Sequence, residues 1–455
     1  MKAIAVRLLP LVSLTLLASQ MHAQAPVDAV ATPSTVLFSN VRIFDGTHGD
    51  LTAPSNVLIR GNTIERISTS PIPVDRSANT QIIEGGGRTL MPGLIDAHTH
   101  IMFETVPQLK ALTSTIDYIV LIAGKEATAT LMRGFTSVRD LGGPSFGLKK
   151  AIDEGILPGQ RIYPSGAFIS QTAGHGDFRL LTELPREPND QLSYTERVGA
   201  TAIADGVDQV LLRTREQLMR GASQIKLMAG GGVSSNYDPL DVTQYSEEEL
   251  HAAVGAAEDW GTYVTVHAYT PRAMQRAIRA GVKCIEHGQL ADEETARLMS
   301  EKGIWWSLQP FLDDEDATPF PKESLNRKKQ LQMFSGTDTA YKLAIKFKIK
   351  TAWGSDTLFD PKVATRQGAQ LAKLVRWYTP AQVLKMGTAD NAELLALSGP
   401  RNPYPGKLGV VQESALADLL LVDGDPISNI KLIEDPDKNF VVIMKDGKIY
   451  KNTIH

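Results

Sequence analysis

Residues 91–100 read Met91-Pro92-Gly93-Leu94-Ile95-Asp96-Ala97-His98-Thr99-His100. The apolar run predicts a strand over 93–98 that ends in two histidines. Side chains two apart on a strand share a face, so both rings can point the same way at the strand's end. Further strands are predicted downstream at 135–140, 161–169, 223–229, 262–268, 282–287, 303–309 and 350–355. Helical patterns lie between them, as at Ser246–Trp260, Pro271–Ala280 and Glu293–Glu301. Eight strand–helix units within 91–398 predict a (β/α)8 TIM barrel with insertions. A doubly wound open sheet is the competing α/β architecture, but no early strand is followed by a G-x-G-x-x-G turn. Gly230-Gly231-Gly232 lacks the Lys-Ser/Thr of a phosphate loop and reads as close backbone packing at a strand end. The longest connection, 171–215, reads as an irregular loop leading to a helix.

Both flanks of this region look all-β. Residues 34–90 carry short runs such as Asn56-Val57-Leu58-Ile59, with Asp45-Gly46 and Arg60-Gly61-Asn62 as turns. Residues 399–455 carry Leu419-Leu420-Leu421-Val422 and Phe440-Val441-Val442-Ile443-Met444, with Asp423-Gly424 and Asp446-Gly447 as turns. Neither flank is long enough to bury a good core alone. The expectation is one small composite β-sandwich domain built from both chain ends. Residues 1–25 have the grammar of a secretory signal peptide: Lys2 and Arg7, an apolar stretch from Leu8 to Ala18, and small residues Ala23 and Ala25. The stretch is too short to span about 30 Å of hydrocarbon. A periplasmic or secreted protein with no membrane attachment after processing follows.

Composition narrows the chemistry. With Lys plus Arg at 47, Asp plus Glu at 51 and a net charge of −4, there is no basic footprint for nucleic acid. The single cysteine, Cys284, excludes both an internal disulfide and a Cys-rich zinc site. Any metal must then be held mainly by His and carboxylate.

The histidines supply such a set. His98 and His100 end the first predicted strand, His267 the fifth and His287 the sixth, while Asp356 ends the eighth. Barrel enzymes place their catalytic groups at this end of the strands. Lys226 lies on the fourth strand between Ile225 and Leu227, where an ammonium is costly to bury. It can snorkel, pair with a carboxylate, or be carbamylated into an anion that bridges two cations. Four imidazoles, Asp356 and such a bridge make a binuclear site for two divalent ions, zinc above all.

The run 91–100 resembles the signature of the amidohydrolase superfamily. Lys226, His267, His287 and Asp356 follow in that family's order, as do Thr388-Ala389-Asp390-Asn391-Ala392 and Ala417-Asp418-Leu419. Within it the chain is similar to the secreted branch of Xaa-Pro dipeptidase-like metallo-carboxypeptidases and ochratoxin-degrading amidohydrolases. The resemblance implies a carbamylated Lys226 bridging two zinc ions. It places His98, His100 and Asp356 on one ion, with His267 and His287 on the other. It also implies a homo-oligomer, such as an octamer.

The expected reaction is hydrolysis of an amide or short-peptide substrate, releasing a C-terminal amino acid. Two cations lower the pKa of a shared water, and Asp356 takes its proton and delivers it to the leaving amine. The same site could open lactones, cyclic amides or phosphotriesters. Three residues are candidates for substrate binding. Tyr269 shares a face with His267, His175 sits between glycines on the third-strand loop, and Arg139 ends the second strand, where a salt bridge is its competing role. Ser145 fits G-x-S-x-G but stands too far from its strand for a nucleophile elbow. Cys284, three residues before His287, is expected to face away from it.

Overall fold

A computed structural model describes residues 35–454 apart from 78, 188 and 189. The expected signal peptide, 1–25, lies outside the described residues. The first strands are β1 (Thr35–Ile43), β2 (Ser55–Arg60), β3 (Thr63–Ser68), β4 (Thr80–Glu84) and β5 (Thr89–Pro92). Next come β6 (Leu94–Thr99), β7 (Phe135–Asp140), β8 (Arg161–Pro164), β9 (Phe168–Ser170) and β10 (Thr201–Ile203). They are followed by β11 (Ile225–Met228), β12 (Val264–Ala268), β13 (Cys284–His287), β14 (Trp305–Leu308) and β15 (Thr351–Trp353). The chain closes with β16 (Leu419–Val422), β17 (Phe440–Lys445) and β18 (Lys448–Asn452).

The two chain ends share one sheet of eight strands, ordered β18-β17-β16-β5-β1-β2-β3 with β4 beside β1. The join is antiparallel, with Leu419 opposite Pro92 and Val422 opposite Thr89. One apolar cluster draws on both ends, with Phe38, Val57 and Ile59 packed together with Leu419, Leu421 and Met444.

The middle of the chain forms two parallel sheets, β6-β7-β8 and β10-β9-β11-β12-β13-β14-β15. In β11–β13 the side chains divide by parity, as a period of two demands. Ile225, Leu227, Val264, Val266 and Ile285 pack under helical residues such as Leu250, Val254 and Met274. The opposite face carries Lys226, Thr265, His267, Cys284 and Glu286. The flanking helices begin where expected. The helix Glu247–Asp259 is opened by Ser246, whose side chain accepts from Glu249 N in a capping box.

Two expectations need correction. The single strand over 161–169 is broken into β8 and β9, because Gly166 turns with φ 74° and a Cβ there would lie 2.4 Å from Gln217 Oε1. The irregular connection after it contains β10, which pairs with β9. The two parallel sheets are bridged in two places. Ser223 N donates to Pro164 O at 2.8 Å, and Gln224 Nε2 to Tyr163 O at 2.9 Å. Asn391 Nδ2 donates to Ile95 O at 2.7 Å and to Trp353 O at 2.8 Å, tying β6 to β15. No helix among the described residues is long and apolar enough to cross a membrane.

Candidate active site

The ends of these strands open into a cavity of about 270 Å³, lined by His98, His100, His175, Lys226, His267, Tyr269, His287 and Asp356 among others. His98 and His100 stand 5.4 Å apart between ring centroids, His98 and His287 4.9 Å, and His287 and His267 4.5 Å. Asp356 Oδ1 lies 3.1 Å from His98 Nε2 and 3.3 Å from His100 Nε2. Ligand atoms of these three residues fall within 4.8 Å of one another, a group that can hold a metal ion.

Backbone geometry makes the convergence possible. His287 has φ 72° and Asp356 φ 49°, the left-handed region that non-glycine residues rarely enter. Such strain costs of order 1–3 kcal/mol per residue and persists where the surroundings enforce it. At β13 it lets two consecutive residues reach the site. Glu286 keeps the strand's alternation and faces inward with Cys284, whose Sγ is 3.3 Å from Glu286 Oε1. His287 leaves the alternation and turns into the cavity.

Each imidazole is pinned by one ring nitrogen. His98 Nδ1 donates to Glu286 Oε2 at 2.9 Å, and His100 Nδ1 to Gly142 O at 3.3 Å. His267 Nε2 donates to Gly231 O at 3.0 Å, and His287 Nδ1 to Gln309 Oε1 at 2.7 Å. An acceptor on one nitrogen leaves the other as a lone-pair donor, the arrangement found around metal-ligating histidines. His98 Nε2 is buried without a hydrogen-bond partner. Burial also holds His100, His267 and His287 below the ordinary imidazole value, which favours the neutral, ligating form. Burial alone would raise the Asp356 carboxyl, yet His98, His100 and His287 hold it well below the usual range. Lys226 is 1% exposed, and burial brings its ammonium down to about 8 against the pull of Glu286 and Asp356. The donor set therefore fits divalent cations.

His175 stacks on His267 with centroids 4.0 Å apart, and its Nδ1 lies 2.7 Å from Ser235 Oγ. Gly232 leaves room for this ring, since a Cβ there would meet His175 Cε1 at 1.9 Å. Tyr269 lies 5.0 Å from His267 and 5.2 Å from His287 between centroids.

Arg139 does not belong with them. It is fully buried and absent from the cavity wall. Its guanidinium donates to Ala97 O at 2.6 Å and pairs with Glu286 Oε1 at 2.7 Å, so its role is the competing one, a structural ion pair. Nor does Ser145 serve as a nucleophile. Its Oγ is buried and donates to Asp140 Oδ2 at 2.6 Å, on the turn that leads into the helix Phe146–Asp153. Sequence reasoning missed Glu286 and Gln309. Alternation from Cys284 was the available signal for Glu286; Gln309 had none beyond its place at the end of β14.

Residues 89–452 match the Amidohydrolase family. The chain is 35% identical over 379 residues to the ochratoxinase of Aspergillus niger, covering 80% of this chain and 75% of that protein. Among solved structures, a prolidase complexed with N-methylphosphonate-L-proline superposes with a TM-score of 0.84 and 34% identity, covering 92% of this chain and 100% of the other. A Xaa-Pro dipeptidase with methionine in its active site superposes with a TM-score of 0.78 and 28% identity, again covering 92% and 100%.

Proposed function

The chain belongs to the amidohydrolase family, and on that premise we propose that it is a metal-dependent hydrolase of amide or peptide bonds that releases a C-terminal amino acid. The observation that carries this reading is the set of imidazoles of His98, His100, His267 and His287. Each is pinned on one nitrogen, and all gather in one cavity with Lys226 and Asp356. His98, His100 and Asp356 would hold one zinc ion, His267 and His287 a second, and a carbamylated Lys226 would bridge them. Bound there, the ions supply an activated water and polarise the scissile carbonyl.

The chain's own residues do the rest. Asp356 is held ionised by its histidine neighbours, so its carboxylate is ready to accept the proton of the attacking water. The same carboxyl then returns that proton to the leaving amine. Glu286 fixes the orientation of His98, and Gln309 that of His287. His175 and Tyr269, on the wall beside His267, orient the substrate carboxylate. The Lys226 amine adds to carbon dioxide with loss of a proton, giving an anion with two oxygens.

The wider architecture belongs to the same reading. The two parallel sheets are the parts of one (β/α)8 barrel over 91–398, supported by the Asn391 and Ser223 bridges between them. Residues 34–90 and 399–455 form a composite β-sandwich domain, supported by their shared sheet. Export through residues 1–25 to the periplasm or medium, and assembly into a homo-oligomer of up to eight copies, complete it.

The test is turnover by the purified protein, stripped with chelator and then returned to zinc. The panel is Xaa-Pro dipeptides, N-acyl amino acids, ochratoxin A and their carboxyl-blocked counterparts. Chelator-sensitive release of a free amino acid, lost on blocking the carboxyl, is expected. No release from any amide by zinc-loaded protein would move the assignment to lactones and cyclic amides.

A further inference from the structure

Resting on the hydrolytic reading above, we propose that Ser235 is a positioning residue for that reaction. Its hydroxyl sets the ring of His175 toward the substrate carboxylate, and a buried lysine, Lys329, holds it in place to do so.

Gly230-Gly231-Gly232 opens the loop that carries Ser235. Gly230 pairs with Thr243, and Gly231 N donates to Val242 O at 3.2 Å, so the chain turns back at once after β11. A Cβ on Gly231 would lie 1.9 Å from Pro239 O, and one on Gly232 would enter the His175 ring. Glycine thus lets this backbone approach the site closely, and the loop then holds two histidines. Gly231 O accepts from His267 Nε2 at 3.0 Å, and Ser235 Oγ lies 2.7 Å from His175 Nδ1.

The Ser235 hydroxyl has one proton to give and two acceptors in reach, His175 Nδ1 at 2.7 Å and Gly232 O at 3.2 Å. The shorter contact takes it. A neutral imidazole that accepts on Nδ1 keeps its own proton on Nε2. The ring lines the cavity, and no other described residue bonds to its Nε2. That nitrogen is left as a donor, as a carboxylate requires. Stacking on His267, at 4.0 Å between centroids, fixes the plane of the ring but not its sense. A half-turn about Cβ–Cγ keeps the plane and puts carbons where the nitrogens stood. The hydroxyl tells the two orientations apart.

Ser235 is held in turn by the helix Leu325–Lys346. Lys329 is 4% exposed, and its Nζ donates to Ser235 O at 2.7 Å and to Asp238 O at 3.2 Å. Asn326 Nδ2 donates to Val233 O at 2.7 Å and to Ser235 O at 3.1 Å. Among the described residues Lys329 forms no salt bridge; its donors go to carbonyls of a loop that has no neighbouring strand to satisfy them. An ammonium is costly to bury in this way. The cost is met where the position of the loop matters to the site.

The experiment uses the zinc-loaded full chain, the amide of the above panel that it turns over fastest, and the amino acid released from it. Ser235→Ala should raise KM about tenfold, the loss expected for a hydrogen bond to a charged group, with kcat within about twofold. Binding of the free amino acid, read by calorimetry, should weaken by the same factor while zinc stoichiometry stays as in the parent. Ser235→Thr, which keeps the hydroxyl, should restore KM to within about threefold. In a His175→Gln background Ser235→Ala should add no further rise, the signature of a residue acting through His175. Lys329→Met should reproduce the KM rise. A parental KM in Ser235→Ala, a full further rise in the His175→Gln background, or loss of zinc in step with activity overturns the proposal and leaves amide hydrolysis standing. A parental KM in Lys329→Met overturns the role of the lysine. No turnover of any panel amide by the parent protein overturns both readings.

Discussion

Arg139 and Glu286 form a buried ion pair directly beneath His98, and its geometry separates structure from substrate binding. Both side chains are fully buried, and Glu286 also accepts from His98. Removing one partner of such a pair leaves an uncompensated charge, at a cost of about 3–5 kcal/mol. Arg139→Met is therefore expected to lower the unfolding free energy read from urea melts by that amount, while the folded fraction keeps its KM. A raised KM with unchanged stability would instead restore Arg139 as a carboxylate binder. Lys226 makes a prediction in pH. Its ammonium gives way to the amine as pH rises through about 8, so the reactive fraction grows from about a tenth at pH 7 to about half at pH 8. Reactivation of chelator-stripped protein by zinc should depend on bicarbonate and accelerate about fivefold over that interval, then level off. A rate indifferent to bicarbonate would argue against carbamylation.

Among the elements, the connection between β14 and the helix Leu325–Lys346 forms part of the cavity wall. Pro310, Phe311, Leu312 and Phe320 from this segment line the wall. Its acidic run is tied down from outside: Asp313 to Arg327, Asp314 to Lys373, and Glu315 and Asp316 to Arg366. Partly exposed ion pairs of this kind contribute about 1 kcal/mol at most. Arg366→Ala should accordingly raise KM by about fivefold in steady-state assays with little change in kcat; an unchanged KM would mean that the segment stays closed without the clasp. The strands around the site were largely legible in the sequence. Parallel strands buried on both faces read as short apolar runs, and a histidine or aspartate at the end of such a run stands out. The break at Gly166 was not legible, because an apolar run does not reveal a left-handed φ. β10 was hidden by its brevity, three residues within a long connection. Glu286 was hidden beside His287, since alternation assigns only one of two neighbours to a face. Arg139 was misassigned because its position at a strand end does not say that its guanidinium turns back beneath the site.

For the whole molecule, the chain ends depend on each other. β16 lies between β5 and β17, so the last residues complete a sheet begun by the first described ones. Leu419, Leu421, Val442 and Met444 are all fully buried in that cluster. At about 1.5–3 kcal/mol each, their burial contributes roughly 6–12 kcal/mol, comparable to the entire stability of about 5–15 kcal/mol of a typical domain. A chain truncated after residue 414 should therefore fail to give a soluble folded protein with a cooperative melt; a cooperative melt would show that the central sheets stand alone. The joining of the ends was foreseen from the inability of either β segment to bury a core. The central claim concerns the site that this frame supports, and one titration reaches it most directly. Zinc is added stepwise, with bicarbonate present, to chelator-stripped protein while hydrolysis of N-benzoyl-L-phenylalanine is followed. The account predicts no turnover without zinc and a rise that saturates at two equivalents per chain. Full turnover by the stripped protein, or saturation without any stoichiometric zinc binding, would contradict it.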